Sequence, residues 1–235
     1  MQISDAIYQA FILLFTGDAA LWQIIWVSLK TSLLALLYAT PLAVWVGYQI
    51  AMHRFPARRW LIWLLQAALS FPTVLIGLLL YLLLSRQGVL GSWHWLFTQA
   101  GIVAGQVLIA LPVLTALSLS AVQAADTRVA ETAITLGAGR WQVMCTVLHE
   151  VRFAVMAALI NGFGRVLSEV GCAMMVGGNI AGATRTITTA IALETSKGEF
   201  AQGIALGVVL IAFALLMNAA LMLLQGNTRN AEHLR

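Results

Sequence analysis

Three stretches of this chain, residues 60–84, 101–121 and 200–224, contain no Asp, Glu, Lys or Arg at all. Each is long enough to cross a bilayer as a helix, which takes about 20 apolar residues. Two more stretches, 21–48 and 153–176, share only three charged side chains: Lys30, Arg165 and Glu169. In hydrocarbon the backbone must satisfy its own hydrogen bonds, so such segments are helices. The chain as a whole is 61% hydrophobic and 9% charged, against roughly 25% charged in soluble domains. The sequence therefore predicts an all-α membrane protein of about five transmembrane helices, folded as a single domain over 1–235. Its formal net charge of +4 is no nucleic-acid signature, because the arginines fall between apolar runs rather than in a patch.

Residues 1–20 read as a short amphipathic lead-in, because Thr16-Gly17-Asp18 interrupts before a span is complete. No cleaved signal peptide is evident, since this segment has no Lys or Arg and its apolar run is short. Trp22 and Trp26 suit an interfacial belt, and Pro41 predicts a kink. The second span carries Ser70, Pro72 and Thr73 in its middle. Such a site is either a simple kink with its hydroxyls bonded back to the helix, or backbone lining an aqueous cavity. Past the fourth span, Gly177-Gly178-Asn179 opens an outer segment, 177–199. It is expected to hold one short helix, stopped by Lys197 in the last turn and Gly198 beyond. The two cysteines, Cys145 and Cys172, fall on opposite sides and imply no disulfide framework. No internal repeat is evident.

Five spans put the termini on opposite faces. With the N-terminus outside and the C-terminus cytoplasmic, the inner segments hold Arg54, Arg58, Arg59, Arg128, Arg140, Arg152, Arg229 and Arg235. The outer ones hold Arg86, Arg185 and Lys197. That asymmetry follows the positive-inside rule, and it places the longest polar interval, 123–152, in the cytoplasm. Within it, Asp126 and Glu131 near a helix start complement the helix dipole, and Gly137 permits a turn. An ordinary inter-helix loop is the plain alternative.

The chain has no ATP site of its own. A P-loop needs Gly-Lys-Ser or Gly-Lys-Thr, whereas Lys30 follows Leu29 and Lys197 precedes Gly198. His149-Glu150 begins a zincin-like string, but Phe153 stands where the second histidine belongs. No histidine lies inside a span to serve a buried serine. Arg165 and Glu169, four residues apart on one helix face, can pair; the pair is either a structural salt bridge or part of an outer gate. Direct ligation of an anion by Arg165 is a sharper reading, against which Glu169, as its neutralising partner, counts. Lys30 reads as a snorkelling or inter-helix residue.

Four stretches together resemble the permease subunits of type I ABC importers in the molybdate/sulfate/tungstate branch. They are 72–77 running on to Tyr81–Arg86, the polar loop Glu131–Gly137, Ser168-Glu169-Val170-Gly171, and Met174-Met175-Val176-Gly177-Gly178-Asn179-Ile180 with its continuation through Thr184–Thr195. The last looks most like tungstate-type permeases; the others do not distinguish substrates. The resemblance implies a type I permease fold whose polar loop, with Glu131, Thr132, Ala133, Gly137 and Arg140, docks on a cytoplasmic ABC ATPase subunit. It further implies a homodimer, no cofactor in this chain, ATP and Mg used by the ATPase partner, and an extracytoplasmic solute-binding protein delivering a tetrahedral oxyanion. Ser70, Pro72, Thr73, Arg165, Glu169, Gly178 and Asn179 then become pathway or gate candidates. Thr132 stands where a second alanine is usual, and Val147-Leu148 is followed by His149-Glu150 where the family commonly has Leu-Pro. An ion-coupled carrier or channel using Arg165 and Glu169 as its relay is the competing reading, and an intramembrane enzyme a third.

Overall fold

The computed structural model describes Tyr8, Ile12 and residues 18–232, with side chains as far as 223. Most of the expected lead-in, 1–20, lies outside the described residues. Among the described residues from Ala19 onward, ten α-helices follow one another: α1 Ala19–Met52, α2 Arg58–Leu69, α3 Thr73–Leu84, α4 Gln99–Gln123, α5 Thr127–Thr135, α6 Arg140–Glu150, α7 Arg152–Leu167, α8 Gly171–Gly177, α9 Ile187–Lys197 and α10 Phe200–Glu232. The helices α1, α4 and α10 are each long and apolar enough to cross a membrane. Two bent pairs, α2 with α3 at 97° and α6 with α7 at 73°, bring the count of candidate spans to as many as five.

The spine is the seam between α1 and α4. Asp18 caps α1 by accepting from the Ala20 N–H at 2.8 Å, satisfying one of the free donors of a helix start. Ala35, Ala39, Ala43 and Gly47 then recur every fourth residue and are all buried. Between helices in lipid, association depends on close packing rather than on apolar drive, and small residues permit it. At Gly47 a Cβ would stand 2.9 Å from the Leu119 backbone nitrogen, so the two helices touch backbone to backbone. Leu114 and Val166, both fully buried, close this core from α4 and α7.

The breaks are sharper than hydropathy suggests. At the end of α2 the Ser70 and Phe71 N–H groups reach back only three residues, to Ala67 and Ala68. Pro72 brings no N–H to continue the ladder and instead caps α3, its carbonyl accepting from Leu75 and Ile76. A right-angled turn results, not the modest kink that a proline within a continuous helix gives. Such a continuous course is followed at Pro41 in α1 and Pro112 in α4. The stretch 153–176, expected as one span, is two helices separated at Ser168–Val170. The second, α8, packs on α3 through Gly77, where a Cβ would lie 2.8 Å from Cys172 Cα. Cys145 is exposed and Cys172 buried, both free.

Candidate functional site: the elbow and the broken helix

Asp126 accepts from the Arg128 N–H at 2.9 Å and starts α5. The helix stops at Thr135 in a Schellman ending: Ala138 N–H donates to Ala133 and Gly137 N–H to Ile134, at 3.0 and 2.9 Å. That ending requires a left-handed residue, and Gly137 supplies it at φ 82°. Gln142 then reaches back to the Gly139 N–H at 2.8 Å and opens α6. Helix, glycine turn and second helix thus form as the sequence indicates. Glu131 differs from expectation: it is the fifth residue of α5, past the first turn, so Asp126 alone complements the helix start.

Ala130, Val143, Met144 and Val147 fasten this elbow to Tyr48 and Val122 at the ends of α1 and α4. What remains outward is unusual for a polar loop. Ile134, Leu136 and Trp141 are 60%, 82% and 70% exposed, alongside exposed Glu131, Thr132, Gly137 and Arg140 with Ala133 half-buried. Thr132, Ala133 and Leu136 border a groove of about 500 Å³ with Arg128. Exposed apolar groups of this kind, rimmed by polar ones, are what a partner protein or the membrane covers. The elbow joins α7 through one residue, Val151, whose N–H still donates to Val147 and whose carbonyl accepts from Val155. No proline is needed for the 73° turn where His149-Glu150 stand. Arg152 braces it, donating to the His149 carbonyl at 3.1 Å and lying 4.7 Å from the Phe153 ring centre.

Arg165 and Glu169 are paired at 3.1 Å, but not along one helix face, because α7 ends at Leu167. Glu169 sits in the break and fastens three helices. One carboxylate oxygen takes the Arg165 N–H from α7, the other accepts from the Cys172 N–H at 3.0 Å in α8, and its backbone carbonyl accepts from Thr188 at 2.7 Å in α9. The pair is lopsided: the Glu169 side chain is 2% exposed and that of Arg165 41%. Beyond α8, Gly178 is left-handed with the Phe97 ring packed on it, and Asn179 at φ 51° donates to the Thr189 carbonyl. Ser70 and Pro72 are exposed and Thr73 half-buried at the other break. The two breaks adjoin, because a Cβ at Gly171 would lie 3.3 Å from the backbone nitrogen of Val74, just past Pro72 and Thr73.

Sequence reasoning missed the hydroxyl knot of the outer segment. Thr184 donates to the Gly177 carbonyl, Thr186 and Thr189 cap α9 reciprocally, and Ser28 of α1 accepts from the Ile187 N–H at 2.7 Å. The crowding of Thr184, Thr186, Thr188 and Thr189 before an apolar helix is the signal, since hydroxyls capture free backbone donors at helix starts. Glu194, 2% exposed, is held between Lys197 at 3.1 Å and Arg185 at 3.9 Å. Gly198 ends α9 at φ 80°, as expected. Lys30 bonds Gln99 at 3.1 Å and so links α1 to α4.

The capped elbow and the two bent pairs of helices thus belong to a multi-pass helical bundle. The chain belongs to the family described as binding-protein-dependent transport system inner membrane component, whose profile matches residues 39–230. It is 38% identical to the tungstate uptake system permease protein TupB of Campylobacter jejuni, over 92% of this chain and 90% of that one. It is 30% identical to the molybdenum transport system permease protein ModB of Escherichia coli K12, over 76% and 82%. Among solved structures, it shares its fold with a chain of a bacterial alginate ABC transporter crystallised with a periplasmic protein bound to alginate pentasaccharide. That match has a TM-score of 0.69 at 20% identity, covering 89% of this chain and 80% of that one. The protein is thus a multi-pass transport subunit of the inner membrane.

Proposed function

We propose that the chain is the permease subunit of an ATP-driven importer for a tetrahedral oxyanion, tungstate first, with molybdate or sulfate next. The observation that carries this reading is the similarity to a tungstate permease along 92% of the chain. Two copies would enclose the route, because five spans make too thin a bundle to surround water alone. Two cytoplasmic ABC ATPase subunits, using ATP and Mg, would seat on the elbows. The exposed Ile134, Leu136 and Trp141 supply their apolar contact, and Gly137 fixes the turn that presents them. A binding protein would meet the segment 177–199 on the outer face, with the N-terminus outside and the C-terminus in the cytoplasm. ATP would draw the ATPases together, move the elbows and shift the bundle from inward-open to outward-open. Ser70, Pro72, Thr73, Gly178 and Asn179 lie where the helices break and would give way in that change.

The test is uptake of labelled tungstate by vesicles holding permease, ATPase and binding protein. Uptake is expected to require ATP and to survive collapse of the proton gradient. Uphill accumulation by the permease alone, or loss of uptake with the proton gradient, would replace this reading with an ion-coupled carrier.

A further inference from the structure

Between α7 and α10 lies a cavity of about 320 Å³ into which Asn161, Arg165, Ser168 and Asn218 open. We propose that this cavity holds the oxyanion in passage; the proposal rests on the oxyanion reading above and gives it a site. The burial of the ion pair sets the sign of the cavity. Glu169 turns away into the protein, with both oxygens engaged by Arg165 and the Cys172 N–H, while Arg165 faces outward. Glu169 therefore acts as a tether, and Arg165, whose guanidinium has five N–H donors of which Glu169 takes one among the described residues, forms part of the cavity wall.

The other polar side chains agree in kind. Asn161 and Asn218 each donate one amide hydrogen back to their own helix, at Ala157 and Ala214, which leaves each a second N–H. No carboxylate lines the cavity among the described residues. Gly164 forms part of its wall, and a Cβ there would meet nothing within 4 Å. The neighbouring Gly162 is, by contrast, packed against Leu114. Gly164 thus serves no close approach of helices; its missing side chain leaves room. Asn161, Arg165, Ser168 and Asn218 are all exposed, so the cavity is open rather than sealed within the chain. One tethered cation and a few neutral donors make a weak anion site, and a conducting site must release as readily as it binds.

The test compares Gly164→Leu, which fills the space without touching a donor, and Asn218→Asp, which faces Arg165 and the anion with a negative charge. Both are measured in the intact transporter for labelled tungstate uptake, with the amount of assembled complex recovered by affinity purification as control. Each is expected to cut uptake fivefold or more with assembly unchanged. A smaller loss in either variant overturns the site, as does loss of uptake that only tracks loss of assembly. If the unaltered transporter carries no tungstate, molybdate or sulfate, the oxyanion reading itself fails, and this outcome is distinguishable from failure of the site.

Discussion

At the scale of single residues, the uneven burial of Arg165 and Glu169 decides how substitutions there behave. Removing Arg165 strands a carboxylate that is 2% exposed, whereas removing the charge of Glu169 frees a guanidinium on a side chain that is 41% exposed. Breaking a fully buried pair costs about 3–5 kcal/mol, and the exposure of Arg165 lowers that to roughly 2–3 kcal/mol. Arg165→Ala is therefore expected to lower the thermal midpoint in detergent more than Glu169→Gln does. The double variant should recover part of the loss, because the stranded charge is gone. Equal effects of the two single changes would count against a buried tether. Gly137 offers a second test. A side chain there meets no neighbour but must adopt a left-handed backbone, at a cost of about 1–2 kcal/mol, and its place is between the exposed Leu136 and Trp141 of the elbow. Gly137→Asp is expected to leave the permease inserted and to abolish co-purification of the ATPase.

Among whole elements, apolar length and polar interruption were legible in the sequence, and so were the elbow's two helices and turn. Breaks inside apolar runs were not. Hydropathy averages over a window and is blind to one unpaired donor, so 153–176 reads as continuous although α7 and α8 are separate. Proline alone is no guide either: Pro41 and Pro112 lie within unbroken helices, while Pro72 marks a 97° turn. The difference lies in what the surrounding chain does with its hydrogen bonds, which depends on packing. The pairing of Arg165 with Glu169 was foreseeable from spacing, but the roles of Glu169 as a cap to α8 and an anchor for Thr188 were not. The α1–α4 seam gives the matching prediction. Gly47→Val should sharply reduce folded protein recovered, because its Cβ meets backbone at 2.9 Å. Gly164→Ala, in open space, should be neutral or stabilising by about 0.5–1 kcal/mol in thermal melts.

For the molecule as a whole, the topology proposed from its arginines has a direct check. Cys145 is the exposed thiol of the elbow and Cys172 is buried, so the unaltered protein carries its own probe. A membrane-impermeant maleimide should label Cys145 in inside-out vesicles and spare it in right-side-out ones. Labelling in the opposite pattern would invert the topology and remove the elbow from any cytoplasmic partner.

The joint at Val151 has a mechanical consequence. Because α6 and α7 meet at 73° across one residue, they act as a bell crank: thrust toward the bilayer on one arm becomes sideways travel of the other. The far end of that arm is tied by one residue, Glu169, to two more helices: its carboxylate holds α8 and its backbone carbonyl holds α9. A displacement delivered at the inner surface would reach the interior as one coordinated stroke, with little slack to absorb it.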